Sequence, residues 1–188
     1  MRFINTEIEG IIIIEPDFYP DERGYFLESY NRKRYSEAGI EAEFVQDNIS
    51  KSVKDTVRGL HYQTGEYAQG KLCQVISGKV LDIAVDIRFG SPTYGKHVSI
   101  ELSEEKHNQI WIPPGFAHGF SVLSDTAVFS YKCTAYYSKQ HERSILYSDK
   151  DLNIDWKIDN ALVSEKDMKA PLFIEIGRDF EYGKQKPF

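Results

Sequence analysis

An all-β fold, a sandwich or a barrel, is predicted by three features of this 188-residue chain. Short strand-like runs of apolar and polar residues recur at regular spacing, separated by glycine, proline and other turn-forming residues. Twelve tyrosines and eleven phenylalanines enrich the residue types that suit a pleated strand. The length fits one domain, residues 1–188, and leaves bulk for a sizeable core.

The elements follow in order. Ile11 to Ile14 is a continuous apolar run, as expected of a strand buried on both faces. Pro16 and Pro20 bracket an expected loop ending in Asp21-Glu22-Arg23-Gly24, and Tyr25 to Tyr30 has strand composition. Asn31 is placed to cap a short helix through about Ala38, with Gly39 closing it. Phe44 to Ser50 alternates, with Phe44, Gln46 and Asn48 on one face. Val57 to Gln63 reads as a strand with Val57, Gly59, His61 and Gln63 on one side. Gly59 is then expected to leave open space beside the imidazole. A loop or hairpin connection containing Gly65 and Gly70 follows.

Leu72 to Ile76 is a strand, Ser77-Gly78-Lys79 a turn, and Val80 to Ile87 the cleanest alternation in the chain. Arg88 to Gly95 reads as a loop; Val98 to Leu102, Gln109 to Ile112, Phe116 to Leu123 and Ala127 to Thr134 read as strands. Ser164 starts a short helix, with Asp167 at the capping-box position. The polar tail from Gly177 is expected on the surface or against another subunit.

Composition excludes several functions. A net charge of −6 argues against general nucleic-acid binding, though a local cluster of arginine and lysine still suits an anionic ligand. Cys73 and Cys133 lack the spacing of a zinc site and sit in apolar runs, so both are expected as buried thiols. No run is long enough for a membrane span and no signal peptide is visible, so a cytoplasmic location is expected.

Several residues carry candidate chemistry. His61 near the end of one strand and Lys71 at the start of the next can converge on one cavity. That would set a proton-transfer group beside a fixed positive charge, as reactions next to a carbonyl require. Each residue also has a plain alternative. Tyr131 could be a core tyrosine with a satisfied hydroxyl, Asp167 only a helix cap, and Arg23, Arg58 and Lys166 solvated charges. His118 lies in Pro113-Pro114-Gly115-Phe116-Ala117-His118, which resembles the second motif of the cupins, small jelly-roll barrels; a structural histidine in a turn is the alternative. Metal-binding cupins carry His-x-His with a following glutamate. Here Gln63 replaces the second histidine and Glu66 falls short of the spacing, so a metal held by His61 and His118 is the minority reading. His97, His107 and His141 are expected to be exposed.

Taken together the motifs are far more specific. DERGYF at 21–26, FVQDNIS at 44–50, RGLHYQ at 58–63, QGKL at 69–72, DIAVDIR at 82–88, SPTYG at 91–95, IPPGFAHGF at 112–120, YKCT at 131–134 and SEKD at 164–167 resemble the dTDP-4-dehydrorhamnose 3,5-epimerases, in the same order. The match runs from Phe3 to Leu172; the C-terminal extension, 173–188, lies beyond it. The resemblance implies a cupin-type jelly-roll β-barrel with a few short helices, a homodimer, no metal and no cofactor. It implies the substrate dTDP-4-keto-6-deoxy-D-glucose and the product dTDP-4-keto-L-rhamnose, on the way to L-rhamnose for surface polysaccharide. It implies His61 as base, Asp167 as its orienting partner, Tyr131 as acid and Lys71 as stabiliser of the enolate oxygen. Arg23, Glu28, Gln46, Asn48, Arg58, His118, Glu142 and Lys166 would line the nucleotide-sugar site. Whether C3, C5 or both are inverted, and which nucleotide 4-keto sugar is used, stays open at this level. So do two alternatives of another class: a metal-dependent cupin oxygenase or isomerase, and a non-catalytic sugar-binding cupin.

Overall fold

A computed structural model describes residues 1–184 of the chain. The strands are β1 (Arg2–Asn5), β2 (Ile12–Glu15), β3 (Phe18–Asp21), β4 (Gly24–Leu27), β5 (Gln46–Val53), β6 (Thr56–Gln63), β7 (Lys71–Ser77), β8 (Lys79–Asp86), β9 (Arg88–Phe89), β10 (His97–Ser103), β11 (Gln109–Ile112), β12 (Phe116–Val122), β13 (Thr126–Cys133), β14 (Glu142–Ser144), β15 (Leu162–Val163) and β16 (Phe180–Glu181). The helices are α1 (Arg32–Glu37) and α2 (Glu165–Met168), with short 3-10 turns at Gly65–Tyr67 and Phe173–Glu175. This is the predicted all-β jelly roll with a few short helices.

Two mainly antiparallel sheets face each other. One runs β1-β2-β11-β7-β13-β5; the other runs β10-β8-β12-β6-β14, with β15 added beside β6. Three apolar clusters hold the layers together. Cys73, Val75, Val80, Ala84, Ile110, Ile112, Phe120 and Phe129 fill the space between the sheets. Leu60, Tyr62, Ile83, Val85, Ile145 and Trp156 seal the outer face of the second sheet. Tyr35 and Ile40 seal the outer face of the first against Ile12, Leu72 and Trp111. The alternation of β8 accounts for two of these: Val80 and Ala84 look inward, while Leu81, Ile83 and Val85 look outward.

The local signals behave as expected at α1. The Asn31 side chain accepts from the Arg34 N–H, and Gly39 takes φ +87° just past the end. Burial of Tyr35, with its hydroxyl donating to Gln109 Oε1, fixes the helix on the first sheet.

Other segments differ from expectation. The expected loop around Pro20 is a hairpin: β3 pairs β4 antiparallel, and Phe18, Tyr19, Tyr25 and Phe26 are exposed on it. Alternation cannot announce a hairpin whose two strands bury neither face in their own chain. Arg88–Phe89 is a strand inside the expected loop, because the tail supplies its partner: β16 pairs β9 in parallel. The tail is correspondingly less superficial than its polarity suggests. Phe180 is buried against Tyr62, and the Tyr62 hydroxyl donates to Asp179. The part of the extension at 185–188 lies outside the described residues. His97, His107 and His141 are half-buried and not exposed. His107 stacks on Phe18 and His141 on Tyr67.

The most consequential difference lies in β6. His61 pairs with His118 and Arg58 with Phe120, so three residue steps on β6 oppose two on β12. That is a bulge, and it inverts the pleat at Gly59. Arg58 and His61 therefore share the inward face, while Val57, Leu60 and Tyr62 share the outward one. Gly59 does not leave open space. A Cβ there would lie 2.5 Å from the Gly119 Cα and 2.9 Å from the His118 carbonyl oxygen, at φ +132°. Gly59→Ala is therefore expected to destabilise the protein by about 3 kcal/mol through backbone strain and overlap. Thermal unfolding should show Tm lower by roughly 6–12 °C; an unchanged Tm would contradict the close approach.

Candidate active site

The inner face of the first sheet presents two cross-strand rows. Gln46, Cys133 and Lys71 stand in register across β5, β13 and β7, and Asn48, Tyr131 and Cys73 form the next row. The second sheet faces them with His61 and Arg58 on β6, His118 on β12 and Asp82 on β8. Between the sheets lies a cavity of about 640 Å³ lined by Arg58, His61, Lys71, His118, Tyr131 and Asp167, among others. A second recess of about 260 Å³ shares His61, Lys71 and Tyr131 and adds Gln46, Asn48, Gln63, Tyr137 and Glu142.

His61 Nε2 is 2.6 Å from Asp167 Oδ1, a contact between residues 106 positions apart. Asp167 is delivered by α2, whose Ser164 hydroxyl accepts from the Asp167 N–H. Asp167 is thus both the first-turn residue expected at the cap and the partner of His61. Burial alone would raise its carboxyl. Hydrogen bonds from His61, the Gly59 backbone and Ser164, together with charge attraction to the imidazole, hold it below its ordinary value. An ionised carboxylate on Nε2 fixes the tautomer and favours an imidazolium once a proton is taken.

Lys71 enters from the opposite sheet. Among the described residues its ammonium has no ion-pair or hydrogen-bond partner, and its charge is felt at Cys73, His118 and Cys133. A cation left uncompensated in such a cavity can neutralise charge developing on a carbonyl oxygen. Burial pushes the Tyr131 hydroxyl up to about 12, with Cys133 and Cys73 adding to the shift. It is therefore a neutral phenol at neutral pH. The alternative of a core tyrosine requires a satisfied hydroxyl, and no described residue bonds to this one.

Of the nucleotide-sugar residues, Gln46, Asn48, Arg58, His118, Glu142 and Lys166 all line the two recesses. Arg58 Nε donates to Ser52 Oγ, which aims the guanidinium. Lys166 pairs with Glu142 at 2.6 Å. Burial alone would raise the Glu142 carboxyl, but Lys166 and the Tyr137 hydroxyl hold it below its ordinary value. Arg23 and Glu28 are not brought to either recess. Arg23 pairs with Asp21 on the exposed hairpin, and Glu28 with Arg34. Within a single chain they cannot line the cavity.

Two features escaped the sequence. Asp82 is fully buried, with Oδ2 2.9 Å from His118 Nε2. Burial pushes the His118 imidazole below its usual value against the pull of Asp82, and the positive charge of Lys71 pushes the same way. The available signal was an acid on the inward face of β8. The second is Gln63, whose amide makes three hydrogen bonds to backbone groups. The position that would hold a second histidine in a metal-binding cupin thus serves loop structure here. Among the described residues, the one grouping with metal-ligand spacing is Cys73, Asp82 and His118, within 4.8 Å of one another, and His61 does not belong to it.

Comparison with known proteins gives the family. The dTDP-4-dehydrorhamnose 3,5-epimerase family model matches residues 5–175. The enzyme of that name from Shigella flexneri is 54% identical over 176 residues, 93% of this chain and 97% of its own. That of Methanothermobacter thermautotrophicus is 48% identical over 169 residues, 88% of this chain and 91% of its own. The crystal structure of the dTDP-6-deoxy-D-glucose-3,5-epimerase from Legionella pneumophila, in complex with dTDP-4-keto-L-rhamnose, matches with a TM-score of 0.93 and 51% identity. It covers 96% of this chain and 98% of that one. By sequence and by fold, this chain belongs to the dTDP-4-dehydrorhamnose 3,5-epimerase family of isomerases.

Proposed function

We propose that the chain converts dTDP-4-keto-6-deoxy-D-glucose to dTDP-4-keto-L-rhamnose by inverting C3 and C5, in dTDP-L-rhamnose biosynthesis. The observation that carries the mechanism is the placement of His61 and Tyr131 on opposing sheets across one cavity, with Lys71 beside them. C3 and C5 both flank the C4 ketone, so each proton becomes acidic once the enolate is stabilised. His61, held by Asp167, takes the proton. Lys71 offsets the negative charge on the C4 oxygen. Tyr131 returns a proton from the other wall, which inverts the centre. Arg58 and Lys166 supply the positive charge that a diphosphate requires.

The whole chain forms one epimerase domain, and its working form in this proposal is a homodimer in the cytoplasm. Exposed Phe18, Tyr19, Tyr25 and Phe26 on the hairpin, and Ile49 and Val53 on edge strand β5, support an apolar contact with a second copy. Such a contact also gives Arg23 and Glu28, absent from their own chain's cavity, a route to the partner's. No helix among the described residues is long and apolar enough to cross a membrane.

The test is proton NMR in deuterated water with the dTDP substrate, before and after exhaustive chelation. Deuterium is expected at both C3 and C5, with inverted product, at an unchanged rate after chelation. Exchange at one centre only would reduce the activity to a mono-epimerisation. Loss of activity on chelation, restored by one metal, would replace the cofactor-free mechanism.

A further inference from the structure

The smaller recess is lined in part by Tyr137, which stands on a loop, residues 134–141, between β13 and β14. The loop's ends are held by backbone bonds to Gly70 and Thr64, by its own turn at Ser138–His141 and by the stacking of His141 on Tyr67, and its middle is held by glutamines. Gln63 Nε2 donates to the carbonyl oxygens of Tyr136, at 3.1 Å, and Tyr67, at 2.8 Å. Its Oε1 accepts from the Ser138 N–H at 2.7 Å. Gln69 Nε2 donates to the Ala135 carbonyl oxygen at 2.7 Å. Gln46 Oε1 accepts from the Tyr137 N–H at 2.9 Å. Four consecutive residues, 135–138, thus have a backbone group bound by a glutamine side chain. The three glutamines come from β5, β6 and the segment before β7, and all line the same recess as Tyr137 and Glu142.

The chemistry of the amide suits the task. It donates twice and accepts once at Gln63, which neither an imidazole nor a carboxylate can match. Gln63 is buried, so its own end of each bond is shielded from bulk water, where an unmet polar group is costly. The loop carries Tyr137, whose hydroxyl donates to Glu142 Oε2, so fixing the backbone also fixes two side chains at the rim. By contrast, His61, Lys71 and Tyr131 stand on strands and do not depend on the loop for their positions.

We propose that Gln63, assisted by Gln69 and Gln46, is a positioning residue: a glutamine clamp that holds the middle of loop 134–141 so that Tyr137 stands preformed in the lining of the nucleotide-sugar cavity. It acts on substrate affinity and not on the proton transfers. The proposal takes its substrate from the epimerase reading, while its structural part stands independently of it.

Gln63→Met keeps the side chain's length and bulk and removes all three bonds. Loss of this preorganised lining should raise KM for the dTDP-4-keto sugar, and Kd for dTDP measured by calorimetry, about tenfold. The kcat should stay within about twofold. Deuterium uptake followed by mass spectrometry should rise in the peptide spanning 134–141 and stay unchanged in the strands. Gln69→Met, which loses one bond, should shift the same quantities in the same direction by about threefold, and it carries the test alone if Gln63→Met does not fold. Unchanged uptake in the loop, or a fall in kcat with KM and Kd unaltered, would overturn the clamp. A wild-type protein that turns over no dTDP-4-keto sugar would overturn the epimerase reading alone; loop uptake and dTDP affinity would still decide the clamp.

Discussion

His61→Ala is expected to lower deuterium exchange at both C3 and C5 by 10²–10⁴-fold or more, the usual cost of losing a general base. In the proposed mechanism one imidazole serves both centres, which flank the same ketone, so the two rates should fall together. The affinity for dTDP should change little, since the proposed mechanism assigns the diphosphate to Arg58 and Lys166. Asp167→Asn separates two parts of the same dyad. The amide keeps the size of the side chain, and the backbone N–H still reaches Ser164, so α2 stays capped. What is lost is the charge that holds the His61 tautomer and favours the imidazolium. Exchange should therefore fall in this variant as well, by less than in His61→Ala. Near wild-type exchange in His61→Ala would remove the imidazole from the mechanism and return it to a structural role on β6.

Tyr131→Phe tests the opposite wall. The ring packs beside Phe129, and its hydroxyl bonds to no described residue, so removing the oxygen should leave the barrel folded. Abstraction by His61 and stabilisation by Lys71 need no phenol. The variant should still form the enolate and wash deuterium into the sugar, returning most of it with the original configuration. Inverted product should fall much further than exchange, by about 10²-fold or more if water cannot replace the acid. Following both quantities in one NMR time course reads the ratio directly. An equal fall in both, or none in either, would show that Tyr131 is not the opposite-face acid. The elevated phenol pKa, about 12, adds a consequence of sign. The donor stays protonated through neutral and mildly alkaline pH, so inversion should not be lost through Tyr131 until pH approaches that value.

The residues legible in the sequence were those whose signal is local. The alternation of β8 identified its inward and outward faces, and Gln46 and Asn48 share the expected face of β5. Asn31 and Ser164 announced two helix starts, because a cap is a contact three residues long. His61, Lys71, Tyr131 and Asp167 were recognisable through the order of their motifs, although nothing in their own neighbourhoods separates a functional residue from a structural one.

What tertiary structure decided was decided across the sheets. The pleat of β6 inverts at Gly59 because two of its residues oppose one on β12, and a bulge is a property of the pair. A strict period of two therefore put Arg58 on the wrong face and gave Gly59 space that Gly119 occupies. The Asp82 contact to His118 and the glutamines that hold residues 135–138 join segments far apart in the chain. Local composition cannot encode them, since a buried amide and a solvated one are the same letter. Arg23 and Glu28 lie outside the cavity of their own chain for a related reason. Motif order groups residues without saying which of them the fold of one chain brings together. Sequence alone determined the principal barrel strands, the caps and the chemical inventory, because these depend on neighbours a few residues away. The ladder register and the burial it imposes determined which of those groups meet, because hydrogen-bond pairing between distant strands fixes side-chain direction.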